Sequence, residues 1–137
     1  MGRFGVVEVE VGKVAAQAGL DALRAHGHYP INHLVVVKDE VLKARPELGP
    51  ALFEAFAESK RRYVEKLRVG GIEQPTAADE VHRAVMQTTG VDPLPYGVAP
   101  NRAMLEEALE SAFEQGILNR RPALEELFPE NTHHLTA

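Results

Sequence analysis

Two imidazoles, a phenol and an amide stand together in Gly27-His28-Tyr29-Pro30-Ile31-Asn32-His33, directly ahead of the apolar run Leu34-Val35-Val36-Val37. A second polar group lies in Val91-Asp92-Pro93-Leu94-Pro95-Tyr96-Gly97-Val98-Ala99-Pro100-Asn101-Arg102, where three prolines and a glycine stiffen the path. These residue types suit proton transfer to a bound anion. An imidazole titrates near neutral pH and can deliver a proton. A phenol can bond a ligand hydroxyl, and a guanidinium or amide can hold a carboxylate by charge-assisted hydrogen bonds. The candidates are therefore His33 as proton donor and Tyr96 as hydroxyl partner, with Tyr29, Asn32, Asn101 and Arg102 as binding groups. The plainer alternatives are a partly buried histidine with one satisfied hydrogen bond, a packed Tyr96, and Asn101 as a helix cap.

The elements that must position these groups follow from spacing. Leu34 to Val37 is β-branched, lacks helical spacing and is stopped by Lys38-Asp39-Glu40, which predicts a buried strand over about Ile31 to Val37. Pro30 fixes its own φ and pushes Tyr29 toward an extended conformation. Alternation along the strand puts Ile31 and His33 on one face and Asn32 on the other. A second strand is expected over Phe4 to Val11, from the alternation Val6-Val7-Glu8-Val9-Glu10-Val11, and a short helix over Val14 to Arg24 with Val14, Ala18 and Ala22 on one side.

Downstream the pattern is helical. Asp39 can cap a short helix through Ala44, and Pro46 to Leu67 carries Leu48, Leu52, Phe56, Tyr63 and Leu67 near one stripe. Lys60-Arg61-Arg62 falls on its solvated side. Val69-Gly70-Gly71 ends that helix. Thr76 is a suitable N-cap for Ala77 to Thr88, with Gly90 as the stop. Asn101 is expected to cap Arg102 to Gln115, whose Met104, Leu105, Ala108, Leu109, Ala112 and Phe113 form an apolar face ending at Gly116. Arg102 would then oppose the helix dipole, which invites an acidic partner, Asp92, or an anionic ligand. A last helix over 122–128 turns Leu124, Leu127 and Phe128 inward, and His133-His134 beyond it suggests frayed chain.

Composition narrows the classes. A chain of 137 residues can bury a core, and its apolar and charged fractions are ordinary for a globular protein. The net charge of −5, without a Lys/Arg-rich block, argues against a nucleic-acid or anionic-membrane surface. The lack of cysteine removes disulfides, thiolate metal sites and thiol nucleophiles. No metal or cofactor is expected. Gly12-Lys13 lacks the paired glycine and the Ser/Thr of a phosphate loop. No apolar run would span a bilayer and no signal peptide is seen, so a cytoplasmic location is expected.

Several of these motifs, in this order and approximate spacing, resemble the C-terminal part of the 4,5-dihydroxyphthalate decarboxylase family. They are Tyr29-Pro30-Ile31-Asn32-His33, Val36-Val37-Lys38-Asp39-Glu40, Leu52-Phe53-Glu54-Ala55-Phe56, Asp92-Pro93-Leu94-Pro95-Tyr96-Gly97 with Asn101-Arg102, and Glu125-Glu126-Leu127-Phe128. The resemblance covers about His28 to Glu130. It implies a type-2 periplasmic-binding-protein-like fold, two α/β lobes around a ligand cleft, of which this chain would supply a partial lobe. The expected architecture is thus α+β and mainly helical, with residues 1–27 outside the resemblance, 28–131 as the C-terminal part of a lobe, and 132–137 as a tail. Arg68 to Val91 departs from the family, lacking the tryptophan-bearing stretch of the decarboxylase itself.

The implied activity is loss of carbon dioxide from a hydroxylated aromatic carboxylate, needing no redox cofactor. With one cleft wall absent, the chain is expected to be an inactive truncated form whose exposed lobe face favours self-association. The alternatives are a transporter-type substrate-binding protein that holds a small carboxylate without turnover, and a helical remnant that does neither.

Overall fold

Glycine and proline punctuation divides the chain into helices largely where spacing predicts them. The computed structural model describes residues 18–21, 23–25, 31 and 33–137. Its helices are α1 (Asp39–Ala44), α2 (Leu48–Arg68), α3 (Ala77–Thr89) and α4 (Val98–Glu114), followed by 3-10 turns at Leu124–Leu127 and Glu130–Thr132. Residues 18–21 and 23–25 are also helical. The architecture is mainly helical, and no strand occurs among the described residues. The strand expected over Phe4 to Val11 lies outside them, as do Val14 and Ala22 of the expected N-terminal helical face. Ala18 of that face is exposed, and the buried residue is Leu23.

The strand expected over Ile31 to Val37 does not form. Residues 33–38 have no regular secondary structure, and Leu34, Val35 and Val36 are 59%, 65% and 89% exposed. A strand exists only through its neighbours, because an extended chain has no internal hydrogen bonds to offset its ordering. Among the described residues none pairs with this run. Ile31 is held differently, its amide donating to Met104 Sδ at 3.2 Å while its side chain packs on the core.

The chain folds as two compact units, one comprising Met1–Tyr29 with Pro75–Pro93 and the other Pro30–Gln74 with Leu94–Ala137. In the first unit, α3 begins at a capping box. Thr76 Oγ1 accepts from the Asp79 amide at 3.3 Å, and Asp79 Oδ2 accepts from the Thr76 amide at 2.7 Å. Gly90, at φ 73°, ends the helix in the left-handed conformation that lacks a Cβ penalty. Val85 is buried on its inner side.

In the second unit, α2 fully buries Ala57, Lys60, Val64 and Leu67. Of the predicted stripe Leu67 is buried, Leu48, Leu52 and Tyr63 are partly buried, and Phe56 is 44% exposed. Asp39 lies within α1, while Lys38 takes the N-cap position without a side-chain bond. The end of α2 is a Schellman motif, with Gly71 N–H on Lys66 O and Gly70 N–H on Leu67 O. The end of α4 repeats it, Ile117 N–H reaching Ala112 O and Gly116 N–H reaching Phe113 O. Val98 and Leu105 of α4 form the core with Leu124, and Ile31, Leu109 and Phe128 pack against them. The helix expected over 122–128 is reduced to the 3-10 turn, where Leu124 is buried and Leu127 is half exposed.

Candidate functional site

Four of the residues singled out for chemistry fall among the described ones: His33, Tyr96, Asn101 and Arg102. Tyr29 and Asn32 lie outside them. Tyr96, Asn101 and Arg102 share the junction between the proline-rich loop and α4. His33 sits in the exposed 33–38 segment, and among the described residues no hydrogen bond, ion pair or ring contact joins it to Tyr96 or Arg102.

The junction is built from the start of α4. The helix begins at Val98, four residues earlier than capping by Asn101 would allow, because Gly97 at φ 108° and ψ 164° turns the chain directly into it. Pro100 falls in the first turn, where its missing N–H has no partner to lose. Asn101 is therefore inside the helix. Its Nδ2 donates to Pro95 O and to Gly97 O, both at 2.8 Å, stapling the backbone on either side of Tyr96. Both amide hydrogens are engaged, which leaves Asn101 only an acceptor and removes it as a holder of carboxylates.

Tyr96 is half-buried and fixed through its backbone. Its amide donates to Ala137 O at 2.7 Å and its carbonyl accepts from Ala137 N–H at 3.1 Å. The closing segment is otherwise anchored by Asn131 Nδ2, which donates to Pro46 O at 2.9 Å ahead of α2. Within it the His133 ring bonds Phe128 O at 2.8 Å, so this histidine is half-buried and held, contrary to the frayed end expected. The Tyr96 ring lies beneath the Lys60 ammonium, 5.2 Å from its centroid.

Arg102 lies beyond the first turn of α4, so the expected conflict with the helix dipole does not arise. Its acidic partners are Glu106 at 3.0 Å, one turn on, and Glu125 at 2.5 Å, not Asp92. The guanidinium is 45% exposed. Its hydrogen bond with Glu125, then that with Glu106, raises the Arg102 pKa further, and the same guanidinium holds the Glu125 carboxyl below its usual value. Beside it runs a shallow groove of about 330 Å³, whose carboxylates Glu106, Glu110 and Glu125 are each engaged by Arg102 or Arg121. Glu106 and Glu125 take two of the five N–H donors of Arg102, so a ligand carboxylate competes with them for the guanidinium. Sequence reasoning missed Lys60, because a basic triplet gives no sign of which member turns inward.

Among the described residues no group of three or more His, Cys, Asp or Glu is arranged to hold a metal, and no helix is long and apolar enough to cross a membrane. Comparison with known protein families, with characterised proteins and with solved structures gives no match.

Proposed function

We propose that this chain belongs to a decarboxylase-like, two-lobed α/β protein that binds a hydroxylated aromatic carboxylate, as the resemblance to 4,5-dihydroxyphthalate decarboxylases implies. The observation that carries the reading is the 94–102 junction. It carries a phenol on a backbone fixed from both sides and, past Asn101, a half-exposed guanidinium already gripping carboxylates. In this reading the Tyr96 hydroxyl bonds a ring hydroxyl, and Arg102 exchanges Glu125 for the ligand carboxylate. His33 gives its proton to the ring carbon as the bond to the departing carboxylate breaks and its electron pair enters the ring. Carbon dioxide leaves, and no electrons are exchanged with a cofactor.

Support for a partial lobe comes from residues 34–36. A β-branched apolar run this exposed suits a strand covered on both faces in a parallel sheet, which needs neighbours from another segment. Turnover therefore requires a second element bringing His33 toward Tyr96. A substrate-binding protein without turnover uses the same contacts and differs only in lacking the proton step.

Titration of the chain with phthalate and 4,5-dihydroxyphthalate, followed by NMR, tests binding. Arg102→Ala should weaken phthalate by about one decade, the lower end for a charge-assisted hydrogen bond because Glu125 competes for the guanidinium. Arg61→Ala, on the outer face of α2, should leave it unchanged. Carbon dioxide release from 4,5-dihydroxyphthalate should be absent for the chain alone. Release lost on His33→Ala would show a self-sufficient enzyme, and equal binding by both arginine variants would sink the carboxylate site.

A further inference from the structure

The cation touching Tyr96 is Lys60, and the basic triplet that contains it divides in two. Arg61 and Arg62 are exposed and both engage Glu58, at 2.8 and 2.7 Å. Lys60 is 5% exposed and sets its ammonium 5.2 Å from the Tyr96 ring centroid. Helical geometry separates them, since Lys60 shares its stripe with Ala57, Val64 and Leu67 while the next two residues rotate away by about 100° each. Burying an ammonium carries a desolvation cost that a surface position avoids, so this lysine is placed where its charge acts. The backbone of Tyr96 is held by a different element, Ala137. The ring thus meets a cation from α2 while the backbone is bonded by the closing segment.

We infer that Lys60 is a positioning residue for Tyr96, fixing the ring and giving the ligand that meets its hydroxyl a positive field. This rests on the aromatic-carboxylate reading and deepens it: the field favours an anionic ring over a neutral one of the same shape, even while Arg102 stays engaged by Glu106 and Glu125. Lys60 touches no reacting atom.

The test uses protein labelled with ¹³C in its tyrosine rings. The chain has three tyrosines, and Tyr96→Phe identifies the resonance. Lys60→Met should shift the Tyr96 ring signals and Lys60→Arg should restore most of the shift. The Tyr96 amide, bonded to Ala137, should stay protected from hydrogen exchange in both, which separates loss of the cation from loss of the fold. If Lys60→Met loses that protection, Lys60→Gln, with a polar head and no charge, carries the same expectations. Phthalate should bind about tenfold more weakly to Lys60→Met and within about threefold of wild type to Lys60→Arg, the scale of removing or keeping one unit charge near an anionic ligand. Dimethyl phthalate should not distinguish the variants.

Ring signals unchanged on removing the charge, or shifted equally by arginine, overturn the positioning role. Phthalate affinity unchanged in the charge-free variants overturns the field. A wild-type chain that binds no aromatic carboxylate sinks the functional reading and the field with it, and the ring signals then decide the positioning alone.

Discussion

Tyr96 and Ala137 exchange a pair of backbone hydrogen bonds, amide to carbonyl in each direction, at 2.7 and 3.1 Å. The two residues form a minimal antiparallel bridge, and its geometry depends on the residue that follows Tyr96. Gly97 adopts φ 108°, and a Cβ there would overlap the Leu135 carbonyl oxygen and lie 3.1 Å from Thr136 Cα. Gly97→Ala should therefore displace residues 135–137, at a cost of about 1–3 kcal/mol for the backbone conformation alone. Hydrogen exchange checks it: the Tyr96 and Ala137 amides should lose protection while those in the middle of α2 keep theirs.

Asn101 should be worth more than an ordinary residue in a helix. Replacing it with alanine removes two hydrogen bonds, each contributing about 0.5–1.5 kcal/mol. Asn101→Asp should be worse than Asn101→Ala, because it points a carboxylate at two carbonyl oxygens in place of two donors. Denaturant unfolding of the two variants gives the order directly, and a more stable aspartate variant would mean the staple is unimportant.

Stability should fall in acid through carboxylates paired with arginine. Glu125 is lowered by Arg102, Glu126 by Arg120, Glu58 by Arg62 and Glu47 by Arg45, in each case chiefly through a side-chain hydrogen bond. A carboxyl with a folded-state pKa below its unfolded value stabilises fully above that value, 4.5 here, and loses the contribution as pH falls through the lower folded-state value. All four pairs face solvent, so the effect should shrink in high salt. Melting temperature measured from pH 6 downward should decline less steeply below about pH 4.5 in Glu125→Gln than in wild type. Parallel curves would show that the ion pair contributes nothing.

The exposed run at residues 34–36 should make the isolated chain self-associate, since unpaired backbone beside β-branched side chains is a template for another strand. Val36, at 89% exposure, is the site to alter. Val36→Lys should raise the concentration at which light scattering appears and leave the melting temperature within about 0.5 kcal/mol equivalent of wild type, as for other surface changes. A marked loss of stability would mean that Val36 is packed in solution.

What sequence revealed divides along a physical line. Thr76, Gly90, Gly70 and Gly116 act within a few residues of themselves, through caps and left-handed turns, and the helices they bound lie close to their expected positions. The strand expected at residues 31–37 depends on neighbours that a local pattern does not contain, and it does not form. Asn101 was misassigned because a cap residue and a residue stapling the loop from inside the first turn have the same composition around them. The inward turn of Lys60 required a phase for α2 that its larger apolar residues misreport, since small Ala57 sits inside and Phe56 faces outward. Tyr96 and Arg102 are candidates from residue type alone, whereas Lys60 and the closing segment enter only with the fold.

Sulfur enters this cysteine-free chain only as three methionines. One of them, Met104, accepts the Ile31 amide through its thioether, next to the core residue Leu105. Oxidation to the sulfoxide would place a chiral polar oxygen at that joint and disturb both the anchor of the exposed segment and the packing of α4. Peroxide sensitivity in this unit would therefore be expressed where residue 31 meets the helix carrying Arg102, and methionine sulfoxide reductase would be the means of restoring it.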